Sequence, residues 1–230
     1  MKIISIDPGR VVQLWVPEEM RIQKPLYAGD VIDRVKSHFG FVYLFTTELP
    51  EGGNVPPGSL IFRQGRVILD GEQITVFELG VHNDGLVVVA PTTEEASKVA
   101  DYALEWAIAN LGGRTPTTAI PRSHHSAVIV EFDQNIDTAM KSFEKLGAIV
   151  SKAWQESYQV EAAFNLGRLS VLTDETVSSI RFNTEFVIER RKGVPVPHSS
   201  NRYYCSASLP TAKHIEVLEQ LEELFNGRGG

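Results

Sequence analysis

The chain has 230 residues, of which 43% are hydrophobic and 22% charged, and its formal net charge is −7. This composition is typical of a folded globular protein, and the length allows one large domain or two small ones. The negative charge argues against broad, non-specific nucleic-acid binding, and no apolar run is long enough for a transmembrane helix. The single cysteine, Cys205, excludes an internal disulfide framework and predicts a reducing, cytoplasmic location.

The chain begins with a pattern of two strands and a short helix. Residues 1–5 and 11–16 predict strands on either side of a tight turn at Asp7–Gly9. A short helix should follow, with Asp30 as its N-cap. The apolar face of that helix comprises Val31, Val35 and Phe39.

A β-meander is predicted from residue 59 to residue 91, after a β-rich run at 41–47 and an exposed Pro- and Gly-rich loop at 49–58. The turns of the meander are expected at Gln64–Gly65, Asp70–Gly71 and Asn83–Gly85. Asn-Asp-Gly between two β-branched runs is the strongest hairpin signal in the chain.

A long central helix is predicted over residues 92–111. Thr92 followed by Glu95 forms a capping box, and Gly112–Gly113 gives a stop signal. Apolar residues occupy more than half of the helix circumference, which is wider than one covering face requires. We therefore expect this helix to pack on two sides, against the first sheet and against the second half or a partner subunit.

The second half, residues 124–226, follows a linker at 114–123 and precedes a flexible tail at 227–230. Its patterns predict a strand at 125–133, a hairpin turning at Asn165–Gly167, an alternating strand at 179–189 and a strand at 203–209. Two helices are also predicted.

The first of these helices covers residues 135–154, and its apolar stripe is Ile136, Ala139, Met140, Phe143, Leu146, Val150 and Trp154. The second begins near Thr211, with a stripe of Ile215, Leu218, Leu221 and Phe225. Residues 1–113 and 124–226 therefore share an order of strands and helices without a repeat of residues. We predict an α+β fold of two β-rich halves, with mostly antiparallel sheets covered by helices.

The stretch Ile4-Ser5-Ile6-Asp7-Pro8-Gly9 resembles the first strand of RuvC-type Holliday-junction resolvases and of the wider ribonuclease-H-like fold. In that family the aspartate binds a divalent metal that activates water for phosphodiester cleavage. The resemblance implies a metal-dependent nuclease that uses Asp7. Asp-Pro-Gly is also a plain hairpin turn, and the turn is the interpretation that we prefer.

Residues 1–16 are also similar to the first hairpin of ubiquitin-like β-grasp domains, and the chain ends in Gly229–Gly230. This resemblance implies a protein modifier, or an adaptor, that presents its terminal glycines. A frayed polar tail explains the same glycines more simply.

Other polar residues give no recognisable catalytic set. His124 and His125 are adjacent on a predicted strand and should point to opposite faces, so they are poorly placed to share a metal. Cys205 lies in an apparent strand, where a buried structural thiol is the expected role. We predict no metal site and no cofactor.

One local concentration of positive charge is the loop that contains Arg190, Arg191, Lys192 and Arg202. It is either a solvated loop or a docking surface for an acidic protein or a phosphate backbone. Nucleic acid is an expected partner only through this loop. Together the patterns predict a non-enzymatic protein-binding or assembly component of a bacterial-type cytosolic complex, which binds a protein partner or self-associates as an oligomer.

Overall fold

The computed structural model describes residues 1–20, 28–46, 59–118, 122–134, 136, 141–173, 185–190 and 200–226. The described residues contain nine strands and five helices, and the fold is α+β with antiparallel strand pairing, as predicted. They form two compact units. The N-unit comprises residues 7–126 and 209–211, and the C-unit comprises residues 1–6, 127–208 and 212–230.

The elements follow one another in chain order, with β1 and β6 each contributing residues to both units. The first eight are β1 (Lys2–Leu14), α1 (Pro17–Met20), α2 (Gly29–Phe39), β2 (Tyr43–Thr46), β3 (Ser59–Leu69), β4 (Glu72–His82), β5 (Gly85–Ala90) and α3 (Thr93–Leu111). The remaining six are β6 (Ser123–Glu131), α4 (Lys141–Tyr158), β7 (Arg168–Val171), β8 (Phe186–Arg190), β9 (Arg202–Ala207) and α5 (Thr211–Phe225).

The two units share one topology. In the N-unit the strands lie in the order β2-β3-β4-β5-β1, and in the C-unit the order is β7-β8-β9-β6. The N-unit contains an extra edge strand, β2, and an extra short helix, α1. Apart from these two elements, each unit consists of a strand, a helix, three meandering strands and a closing helix, in that order. The shared order of elements that the sequence suggested is a topological repeat, although the residues themselves do not repeat.

The turn predicted at Asp7–Gly9 is wrong, because β1 continues unbroken through these residues. Gly9 pairs with Ala90 of β5 and packs against the start of α3. A Cβ atom on Gly9 would lie 2.3 Å from the backbone nitrogen of Thr93. The glycine therefore provides space for a helix terminus rather than a chain reversal. The first hairpin on which the β-grasp resemblance depended is absent.

The meander contains two of its three predicted turns. The hairpin at Asp70–Gly71 is confirmed, and both residues have positive φ (52° and 82°), which is the pattern of a type I′ turn. The hairpin after His82 is confirmed as well. The turn at Gln64–Gly65 is wrong, since β3 continues through both residues. A Cβ on Gly65 would lie 2.4 Å from the ring of Phe41, so this glycine also provides space.

The two main helices of the N-unit pack against each other and against the sheet. The N-cap of α2 is Ala28, not Asp30, which lies in the first turn instead; Val31, Val35 and Phe39 are buried as predicted. The capping box of α3 is confirmed, because the Thr92 hydroxyl accepts a hydrogen bond from the Glu95 N–H at 3.2 Å. The helix ends at Gly112 in a left-handed conformation.

The broad apolar arc of α3 is explained within the N-unit itself. One side of the helix buries Ala96, Val99, Ala100, Ala103 and Leu111 in the core that the sheet completes. On another side, the rings of Tyr102 and Trp106 contact His38 and Phe39 of α2. The second packed side of α3 is thus occupied by α2 of the same unit, and the prediction that the second half or a partner subunit would occupy it is wrong.

The C-unit has a smaller core of Val128, Val130, Phe132, Ile136, Ile188, Tyr203, Cys205 and Leu218. The helix α5 begins at Thr211 as predicted, and Leu218 is fully buried. The predicted hairpin around Asn165–Gly167 is wrong in its first arm, because strand structure begins only at Arg168. Residues 174–184, which include most of the predicted alternating strand, lie outside the described residues.

The missing arm of that hairpin lies along α4 instead. The backbone N–H of Phe164 donates to the Ser151 hydroxyl at 3.0 Å. Gly147 leaves room for the Phe164 carbonyl oxygen, which would be 2.3 Å from a Cβ at that position. The Ser151 hydroxyl thus provides the Phe164 N–H with an acceptor in place of a strand partner. No helix of the described residues is long and apolar enough to cross a membrane.

Candidate functional site

The most conspicuous surface of the described residues is an apolar stripe on α4. It consists of Leu146, Ile149, Val150, Ala153 and Trp154, which recur at the three- and four-residue spacing of one helix face. We call these five residues the α4 stripe. Its large side chains are 52% (Leu146), 66% (Ile149), 37% (Val150) and 39% (Trp154) exposed. Apolar helical faces of this kind are normally buried.

Leu146, Val150 and Trp154 belong to the stripe that the sequence predicted for this helix, but they do not enter the core of the C-unit. Ile136 of the same predicted stripe is buried at 1% exposure. Ala139, Met140 and the side chain of Phe143 lie outside the described residues. Sequence periodicity therefore predicted which residues of this helix share an apolar face. It did not predict that the C-terminal part of this face is exposed, which only the structure shows.

The two margins of the α4 stripe differ in character. On one margin stand Lys145, Lys152 and Glu156, and Lys152 forms an exposed ion pair with Glu156 at 3.8 Å. On the other margin the Trp154 ring contacts the rings of Tyr158 (4.4 Å between centroids) and Phe164 (5.4 Å). A charged rim beside an apolar centre with an aromatic anchor is the usual composition of a protein-binding surface.

The predicted basic loop is described only at its ends. The guanidinium of Arg190 lies over the ring of Tyr203, 4.9 Å from its centroid, and the Arg190 N–H donates to the Gly167 carbonyl at 2.9 Å. Arg202 donates from Nε to Glu131 Oε1 at 2.8 Å in a partly buried ion pair. These contacts hold both arginines to the C-unit. Arg191 and Lys192 lie outside the described residues.

The residues singled out for metal chemistry are not brought together. Asp7 is half-buried on β1, and the described part of the chain contains no group of three His, Cys, Asp or Glu residues that could hold a metal ion. The Nε2 atom of His124 lies 3.3 Å from the Ser97 hydroxyl, whereas the neighbouring His125 is exposed. Gly229–Gly230 lie outside the described residues.

A polar cluster between α2 and α3 escaped the sequence reasoning. The Tyr102 hydroxyl and His38 Nε2 are 2.7 Å apart, and Arg34 donates to the Asn110 side chain at 2.8 Å. Burial against aromatic rings lowers the pKa of His38, which favours its neutral form. The polar groups pair with one another across the two helices, so the cluster joins the helices. No short motif connects residues so far apart in the chain.

Cys205 is fully buried on β9, where burial raises the pKa of its thiol to about 12. The thiol is therefore protonated at pH 8, and the thiolate is the reactive form.

We expect DTNB to modify Cys205 at least about a hundredfold more slowly in the native protein than in guanidinium. Absorbance at 412 nm measures both rates. Rapid modification of the folded protein would contradict the buried placement of Cys205.

A comparison with models of known protein families gave no match, and a comparison with curated proteins gave none. The geometry of the described residues is therefore the basis for a functional conclusion, and the α4 stripe is its strongest feature.

Proposed function

We propose that this chain is a non-enzymatic protein-binding or assembly component that docks its partner on the α4 stripe. The observation that carries the proposal is the exposure of Leu146, Ile149, Val150 and Trp154 on one face of a regular helix. Exposed apolar surface that forms a contiguous patch marks an interaction site more often than a scatter of single residues does. Cytoplasmic location is part of the same proposal.

The arrangement of the stripe suits recognition of another folded chain. Trp154 offers a large anchor at one end, and Ile149 and Val150 provide a β-branched centre that loses little rotamer freedom on binding. The Ser151 hydroxyl donates to the Gly147 carbonyl and accepts from the Phe164 N–H, so Phe164 is held against the helix and braces it. A braced helix reduces the ordering cost of association.

The proposal predicts that Ile149→Glu removes binding without loss of stability. Ile149 is mostly solvated, so a glutamate there buries no charge, yet it would place a charge at the centre of an apolar contact. The matched control is Ile68→Glu on β3, because Ile68 is 72% exposed and lies in the N-unit. Both variants should unfold within about 0.5 kcal/mol of the unmodified protein.

Binding is tested by placing a photoreactive benzoylphenylalanine at position 149, or at position 68, in the cells that produce the protein. We expect a discrete cross-linked adduct from position 149 that a Val150→Glu substitution abolishes, and none from position 68. If position 149 gives no adduct on illumination, or if both positions give the same adducts, the α4 stripe is not a protein-binding surface.

A further inference from the structure

The α4 stripe is complementary to itself. We propose that two copies of this chain associate through α4, with the two helices antiparallel and centred on Val150. This inference rests on the proposed protein-binding function of the same surface and names the partner. Three features of the helix support this pairing: the symmetry of its apolar residues, the placement of its charges and the size of the exposed area.

Three of the five residues of the α4 stripe are arranged symmetrically about Val150. Leu146 precedes Val150 by four residues and Trp154 follows it by four. In an antiparallel pair, Leu146 of each copy would therefore lie opposite Trp154 of the other, and Val150 would lie opposite its equivalent. Leu146, Val150 and Trp154 of each copy would thus contact an apolar residue of the other, as helix packing requires.

The charges on the rim favour the same orientation. Lys145 and Glu156 are eleven residues apart, which is about three helical turns, so both lie on one margin of the stripe. An antiparallel pair brings the same margins of two helices together, and Lys145 of each copy would then face Glu156 of the other. A parallel pair would bring opposite margins together, so Lys145 and Glu156 of one copy would face the margin of the other copy that carries Tyr158. Charge complementarity therefore selects the antiparallel pair.

The exposed area indicates the strength of the association. The large residues of the stripe and the neighbouring Tyr158, which is 62% exposed, leave roughly 500 Å² of side chain in water per copy. A symmetric pair would bury about twice that area, which is at the lower limit for a specific interface. We therefore expect a reversible dimer with a Kd on the order of micromolar.

Sedimentation equilibrium of the purified full chain between about 1 and 200 µM tests self-association over the range expected for such an interface. The average mass should rise with concentration from the 25.5 kDa of one chain toward twice that value. Ile149→Glu should keep the mass at that of one chain, whereas Ile68→Glu should dimerise normally. A mass of one chain throughout this range for the unmodified protein would overturn the inference.

Orientation is tested by cysteine cross-linking and by exchange of charges. The native Cys205 is buried, so the folded protein offers little thiol background. Under mild oxidation Val150→Cys should form a disulfide-linked dimer, and Lys145→Cys should not. Lys145→Glu and Glu156→Lys should each raise the Kd about tenfold, and the double variant should restore it. Cross-linking by Lys145→Cys alone, or a double variant no tighter than either single one, would overturn the antiparallel arrangement.

The two proposals fail in different ways. If the purified chain is monomeric and position 149 nevertheless cross-links in cells to a different protein, self-association is wrong and the protein-binding function stands. If position 149 cross-links to nothing and the purified chain is monomeric, both are wrong. If the adduct in cells has twice the mass of the chain and contains only this protein, both are supported.

Discussion

Replacing Gly9 with alanine is expected to lower the free energy of unfolding by about 3 kcal/mol. The added Cβ would lie 2.3 Å from the Thr93 nitrogen and 2.5 Å from the Thr92 carbonyl carbon. Both atoms belong to backbone, so no side chain can rotate away to relieve the overlap. The start of α3 would have to move off β1, and the buried contacts of Val99 and Ala96 would loosen with it.

The matched control is Gly29→Ala, because an added Cβ at Gly29 meets no atom within 4 Å. Gly29 is also the first residue of α2, where alanine favours the helix. This variant should lose no stability and should gain up to about 1 kcal/mol. Similar stabilities of Gly9→Ala and Gly29→Ala would contradict the close approach of β1 and α3.

Guanidinium unfolding followed by tryptophan fluorescence provides the measurement. In a Trp154→Phe background the remaining tryptophans, Trp15 and Trp106, both lie in the N-unit. Their signal therefore reports the unit that contains Gly9. The midpoint should fall for Gly9→Ala while the slope of the transition stays the same.

Glycines explain where sequence reasoning succeeded and where it failed in the N-unit. Gly71 has a φ of 82°, a conformation that few other residues adopt, and its turn was predicted correctly. Gly9 and Gly65 have no such φ and are needed because another part of the chain comes too close for a side chain. Asp-Pro-Gly looks like a turn, but local sequence does not distinguish a need for rotation from a need for space. At Gln-Gly both occur, because Gln64 has a φ of 56° within the strand and Gly65 provides the space.

The helices show the same division between local and distant information. The capping box at Thr92 and the apolar faces of α2, α3 and α5 depend on residues a few positions apart, and the sequence predicted them. Whether an apolar face meets the sheet of its own unit or a second chain depends on tertiary packing. The stripe on α4 was therefore predictable as a pattern and unpredictable as an exposed surface.

Replacing Thr93 with valine is expected to cost about 2 kcal/mol of unfolding free energy, although the two side chains have the same shape. Thr93 and Thr211 are the first residues of α3 and α5, both belong to the N-unit and both are buried. The Thr93 N–H donates to the Thr211 hydroxyl at 3.1 Å, and the Thr211 N–H donates to the Thr93 hydroxyl at 2.6 Å. Valine at position 93 would leave the Thr211 N–H without this acceptor.

A double-mutant cycle isolates the coupling between the two threonines. The two hydroxyl oxygens are 3.0 Å apart, which is hydrogen-bond distance. The Thr93 hydroxyl can donate to Glu94 at 3.1 Å and accept from the Thr211 hydroxyl. The hydroxyl–hydroxyl bond is lost in either single variant and can be lost only once. Thr93→Val with Thr211→Val should therefore cost about 1 kcal/mol less than the sum of the two single changes. Thr93→Ser is the control, because it keeps the oxygen and should retain most of the stability. If the effects of the two valine substitutions add strictly, the two hydroxyls act independently. A helix provides no acceptor for its first amide groups, so the Thr211 N–H depends on an acceptor outside the helix. If Thr93→Val leaves the free energy of unfolding unchanged, the Thr211 N–H has found an acceptor other than Thr93.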